Sequence, residues 1–232
     1  MGTELSIPQV VQEERHFMTS VFGWMSLGLA LTGLVAAYAA SVPAVAQAIV
    51  SNRLVFFGLV ISELALVFFL AGVVQSTMSA AMASLMFLFY AAINGLTLSV
   101  IFLVYTQSSI ATAFFVTAGT FGLMSAYGYF TKTDLTTIGN ICFMALLGLI
   151  LASVVNIWLH NPTLTWVTTY AGVLIFVGLT AYDTQKIKQM YHGDEDSELE
   201  EKEAISGALA LYLDFINLFL NILRIMGDRR RE

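Results

Sequence analysis

The chain has 232 residues, of which 58% are hydrophobic and only 11% charged, with 10 Lys and Arg against 16 Asp and Glu. An average soluble domain carries about 25% charged residues. This composition, with a mean hydropathy of +0.79, excludes a soluble protein built around one core and indicates an all-α, polytopic membrane protein. Much of the net charge of −6 comes from seven acidic residues between Asp194 and Glu203. No long basic stretch invites nucleic acid, and the single Cys142 allows neither an intrachain disulfide nor a thiol metal centre.

Residues 1–16 read as a polar N-terminal tail without the basic start of a cleavable signal peptide, so the membrane segments must direct their own insertion. A bilayer core needs roughly 20 mostly apolar residues per helix. From residue 17 to residue 227 seven stretches meet that requirement, at about 17–40, 54–74, 79–105, 109–130, 136–159, 164–186 and 205–227. Most of the connections are short, such as "TKTDLT" and "HNPT", which makes consecutive helices antiparallel neighbours. Small residues spaced by four, Ala91, Gly95 and Ser99 in the third span and Ala118, Gly122 and Ala126 in the fourth, read as helix-packing stripes. The one long polar connection is the acidic linker 191–203, expected as a solvated loop, and residues 228–232 form a basic C-terminal tail.

Orientation turns on the last span. With the N-terminus inside and seven full crossings, the inner side holds Arg15, Lys132, Lys186, Lys188 and Lys202. The outer side holds Arg53, Arg224, Arg229, Arg230 and Arg231, a tie. A last segment that turned back would give nine against one, closer to the positive-inside rule.

Ionisable groups inside the apolar runs are few: Glu63, Asp183, Asp214 and Arg224. Each is costly there, by about 2.5–3.5 kcal/mol at a helix centre on insertion scales. In "ALALYLDFINLFLNILRIMG", Asp214, Asn217, Asn221 and Arg224 are separated by three, four and three residues. At 3.6 residues per turn they form one polar stripe, which must face other helices or water rather than lipid. Asp183 lies near the linker end of the sixth span, and Asp214 lies roughly 13 Å into the seventh from the same end. The two carboxyl groups can therefore meet, with Glu63 and Arg224 as the natural ion pair and no internal cation left for the aspartates. Two close carboxylates either share a proton or hold a cation between them. A hard cation such as Ca²⁺ would find a sparse, weak site, as conduction requires.

At these residues "GLTAYDTQKIK" and "ALALYLDFINLFLNILRI", together with "ISELALVFFLAG" in the second span, resemble the signature of the Bax inhibitor family, and bacterial inner-membrane members above all. The resemblance covers nearly the whole chain. It implies six helices surrounding a central C-terminal one and a pH-sensitive calcium leak whose sensor is an aspartate pair, here Asp183 and Asp214. It also implies an ionic contact matching Glu63 and Arg224. Some members carry an arginine cluster after the second helix that latches the sensor, whereas "AGVVQSTMSA" here has no basic residue. The alternative function is that of an interaction protein modulating a membrane protease or a stress or cell-death partner, with the acidic linker as a docking segment. An enzyme is not expected. Intramembrane aspartyl proteases also need Gly-x-Gly-Asp, whereas Asp214 sits in "LYLDFIN", and no P-loop, zinc or serine-hydrolase motif is present. No cofactor is expected beyond calcium as cargo.

Overall fold

In a computed structural model, which describes residues 7–73, 77–191 and 197–230, the described residues form eight helices and no strand apart from one isolated bridge. The helices are α1 (Ile7–Ser41), α2 (Pro43–Ser51), α3 (Arg53–Ala71), α4 (Ala80–Val104), α5 (Gln107–Phe130), α6 (Thr136–Leu159), α7 (Pro162–Met190) and α8 (Ser197–Met226). All except the nine-residue α2 are long and apolar enough to cross a bilayer, so the protein is a multi-pass membrane protein with seven candidate spans.

Helix boundaries follow local chemistry. Asn52 caps α3 by accepting from the N–H groups of Leu54 and Val55 at 3.0 and 3.4 Å. In the turn between α6 and α7, His160 takes a left-handed conformation (φ 50°). Asn161 then accepts from Thr163 and Leu164 at 2.9 and 3.3 Å, and Pro162 opens α7, where a missing N–H costs nothing.

Three expectations change. The predicted tail 1–16 is helical from Ile7 onward. Glu13 and Glu14 have partners: Tyr191 donates to Glu13 at 2.8 Å, and Lys188 pairs with Glu14 at 3.6 Å. The linker 191–203 is not a loop beyond residue 196, because α8 starts at Ser197. Glu198 and Glu200 occupy its first turn, where the exposed N–H groups favour negative charge, and Glu198 pairs with Lys202 at 3.8 Å. Asp194, Glu195 and Asp196 lie outside the described residues. Finally, Gly122 and Ala126 of the predicted α5 stripe are exposed, and nothing lies within 4 Å of where a Cβ on Gly122 would stand. The buried stripe is instead Ser109, Ala113, Thr117, Phe121, Ser125 and Gly128. Spacing of four alone could not choose between two stripes that are both rich in small residues.

The chain divides into two compact units. The first comprises Met1–Leu103 and Ile187–Tyr212, the second Val104–Lys186 and Leu213–Glu232. In the first, the early half of α8 buries Ala204, Ile205, Ala208, Leu211 and Tyr212. The Tyr212 ring packs edge-on against Phe87 and Tyr90 at 5.9 and 5.6 Å. The α4 stripe is confirmed there: a Cβ on Gly95 would stand 2.7 Å from the Thr32 carbonyl of α1, so only glycine permits the approach. In the second unit Phe215 packs between Phe114 and Phe121 at 5.6 and 5.4 Å.

Within the second unit, Thr106 donates to the Asp228 carbonyl at 3.1 Å, Arg230 donates to the Val104 carbonyl at 2.9 Å, and Asp228 N–H bonds Ser109 Oγ at 2.9 Å. The end of α8 is thus fastened to the start of α5. α8 is one continuous helix of 30 residues, about 45 Å at 1.5 Å per residue, ample for a hydrocarbon core of about 30 Å.

Candidate functional site

In the second unit α8 runs antiparallel to α7, and its polar stripe lies along that helix. Asp214 lies beside Asp183, close enough for the two carboxyl groups to act on each other, the Asn221 amide occupies the space beside Gly172, and Arg224 donates to Thr169 Oγ1 at 3.4 Å. Position numbers rise on one helix as they fall on the other, as antiparallel pairing demands. A Cβ on Gly172 would come within 2.8 Å of the Asn221 amide, so this glycine makes room for the stripe. Asn217 and Asn221 also donate to the carbonyls of Leu213 and Asn217, each at 2.8 Å. Their amides are thereby partly satisfied by their own helix, which suits a buried polar stripe.

The aspartate pair is its chemically open member. Asp214 is only 4% exposed, and Asp183 is half-buried. Two carboxyl groups can hydrogen-bond each other only if one carries a proton, since an ionised carboxylate has no donor. Asp214 Oδ2 is nevertheless buried without any hydrogen-bond partner. An unsatisfied buried oxygen of this kind costs about 1–3 kcal/mol, so it marks a place where something other than packing is served. A cation stands near the pair, although it is exposed rather than internal. Lys186, one turn along α7 from Asp183, lies near enough for its charge to act on that carboxyl group, and its Nζ stands 6.0 Å from the Tyr182 ring centroid. Cys142 of α6 is likewise within electrostatic reach of Asp214.

Gln185, two residues beyond Asp183, was not singled out by sequence. It is buried and clamps the connection between α5 and α6, accepting from Leu135 N–H at 2.9 Å and donating to the Thr133 carbonyl at 2.8 Å. In the same connection Asp134 accepts from Thr136 N–H at 2.9 Å. The hydroxyl and N–H of Thr136 hold the Asp134 carboxyl below the usual carboxylate range. At the end of α7, outside the spans, desolvation and the bond to Glu13 push the Tyr191 phenol up to about 12.

Glu63 belongs to the first unit and Arg224 to the second, and each finds a partner of its own there. Glu63 accepts from Thr97 Oγ1 at 2.6 Å, and the Asn94 amide lies near enough to act on it. Asn94 Oδ1 in turn accepts from Tyr212 at 3.2 Å, and the Tyr212 hydroxyl meets Thr32 Oγ1 at 2.7 Å. Thr97, Asn94, Tyr212 and Thr32 carried no sequence signal, because an isolated hydroxyl or amide in an apolar helix is common.

A profile of the family described as "Inhibitor of apoptosis-promoting Bax1" matches residues 14–231. The chain belongs to the Bax inhibitor family. It is 54% identical over 218 residues to "Inner membrane protein YbhL" of Escherichia coli, covering 92% of each chain. It is 43% identical over 226 residues to an uncharacterised protein of Borreliella burgdorferi, covering 97% of each. With an uncharacterised protein of Rickettsia prowazekii it shares 41% identity over 220 residues, 93% of this chain and 91% of the other. Among the described residues no three His, Cys, Asp or Glu side chains gather as a metal cluster. Any cation taken by this Bax inhibitor family member at Asp183 and Asp214 would need hydroxyl, carbonyl or water oxygens besides.

Proposed function

We propose that this Bax inhibitor family member is a passive, proton-modulated cation leak of the bacterial inner membrane, with Asp183 and Asp214 as the gate and Ca²⁺ as the cargo. One observation carries the reading: a nearly fully buried aspartate inside a span, beside a second aspartate on the neighbouring helix, with one oxygen left without a hydrogen-bond partner. A pair holding one proton carries one negative charge, enough to attract a hard cation but too few ligands to retain it. Adding a second proton neutralises the pair, and removing the last one makes two carboxylates repel across the α7–α8 contact. Charge and helix packing therefore change together with pH, with Lys186 and Cys142 the other ionisable groups close by. The placement in the inner membrane rests on the name of the E. coli relative and on the spans.

The test is Ca²⁺ flux into proteoliposomes across a pH series for wild type, Asp183→Asn and Asp214→Asn. Wild-type flux changes with pH, and both variants lose that change. Identical flux and pH response in all three proteins would remove the aspartates from the mechanism.

A further inference from the structure

We infer that Ser125 of α5 supplies a third oxygen to the aspartate site, which then receives a hard, oxygen-coordinated cation between Ser125 Oγ and Asp214 Oδ2; this rests on the reading of Asp183 and Asp214 as a cation gate. Ser125 Oγ and Asp214 Oδ2 are the buried side-chain atoms left without a hydrogen-bond partner among the described residues. Both residues lie in the second unit, and both are at least 95% buried, with exposures of 5% and 4%. Buried polar atoms are ordinarily paired, so two orphans in one compact unit call for a common cause.

Geometry brings them together. Ser125 lies on the buried stripe of α5, four residues after Phe121 and three before Gly128. Phe121 packs on Phe215, the residue next to Asp214. Gly128 lies so close to the Ala181 carbonyl, two residues before Asp183, that a Cβ there would collide with it. On one face of α5, then, the contact above Ser125 is with the neighbour of Asp214 and the contact below it is with the approach to Asp183. At 1.5 Å per residue Ser125 stands within about 6 Å along the axis of each contact, on the same buried stripe and between the two. Its neighbours on that stripe explain why it is left open: Thr117 returns its hydroxyl to the Ala113 carbonyl at 2.7 Å, whereas Ser125 does not turn back on its own helix.

A serine hydroxyl has two lone pairs and no charge, so it suits a hard cation, whose ligands are oxygens. With one oxygen from Asp214, one from Asp183 and one from Ser125, the cation would keep several waters, as a transported ion must in order to leave.

The experiment measures initial Ca²⁺ flux in proteoliposomes against external Ca²⁺ for wild type, Ser125→Ala, Ser125→Thr and Asp214→Asn. Thermal stability in detergent with and without Ca²⁺ gives a readout independent of conduction. Ser125→Ala raises the Ca²⁺ concentration for half-maximal flux about tenfold, the worth of one hydrogen-bonding oxygen on a charge. It shrinks the Ca²⁺-dependent stabilisation in step, and Ser125→Thr, which keeps the hydroxyl, restores both. Wild-type concentration dependence in Ser125→Ala, or a Ser125→Thr variant as impaired as the alanine, overturns the ligand role. If Asp214→Asn loses flux while Ser125→Ala keeps it, only the serine assignment falls. If Asp214→Asn conducts like wild type, the aspartate gate falls with it.

Discussion

Glu63 in the first unit and Asp214 in the second present the same physical problem, a carboxyl group inside an apolar span, and the protein treats them in opposite ways. Around Glu63, Thr97 donates at 2.6 Å and the Asn94 amide stands near, held at its oxygen by the Tyr212 hydroxyl, so polar hydrogens surround the carboxylate. Asp214 receives instead a second carboxyl group and keeps a bare oxygen. A carboxylate met by aimed donors is locked in one charge state and one place, whereas one met by its own kind and left half unpaired can exchange a proton or a cation. The first arrangement stabilises a fold, and the second suits the exchange that the proposed function calls for.

The contrast is broken most directly by making the same amide change at both positions. Glu63→Gln puts an NH₂ group where the Thr97 hydroxyl already donates, so it should lower unfolding free energy by about 2 kcal/mol, the worth of a hydrogen bond to a charged group. Asp214→Asn gives Asp183 a donor that needs no shared proton, and should leave thermal stability equal to wild type or above it. Calorimetry of both variants in one detergent decides the matter; equal losses at the two sites would mean that they are held alike.

Next in size is the steric test of the α7–α8 stripe. Gly172→Ala places a methyl group within 2.8 Å of the Asn221 amide, and overpacking of this kind costs about 1–3 kcal/mol. Because the stripe continues to the aspartates on one side and to Arg224 on the other, the change should also alter flux. A compensating Asn221→Ala in the same chain should recover most of the stability. Failure of that rescue would show that Gly172 is needed for something other than the amide beside it.

Much of this was legible in the chain and some was not, for physical reasons. Seven spans, the polar stripe of α8 and the meeting of Asp183 with Asp214 follow from length, the 3.6-residue period and depth, all of which are one-dimensional quantities. Partner choice is not. Within their own units Glu63 accepts from the Thr97 hydroxyl and Arg224 donates to Thr169, contacts that the attraction of opposite charges did not point to. Residues such as Thr97 are indistinguishable in sequence from the many threonines that only bond their own helix, as Thr180 and Thr184 do at 2.7 Å. Ser125 was passed over because the stripe through Gly122 looked equally good, and only burial separates the two.

The smallest expected effect tests whether the first unit's donors act as a chain. Tyr212→Phe keeps the ring contacts with Phe87 and Tyr90 while removing the hydroxyl that orients Asn94, for a loss of about 1 kcal/mol. If Asn94 then turns, its effect on Glu63 goes with it, so Tyr212→Phe and Glu63→Gln should be non-additive by about 0.5 kcal/mol or more. In the double variant the hydroxyl has nothing left to orient, and its removal should cost less than it does in wild type. Strict additivity would make Tyr212 a packing residue that happens to touch Asn94. Coupling would make it the far end of the device that keeps Glu63 fixed while Asp214 is left free.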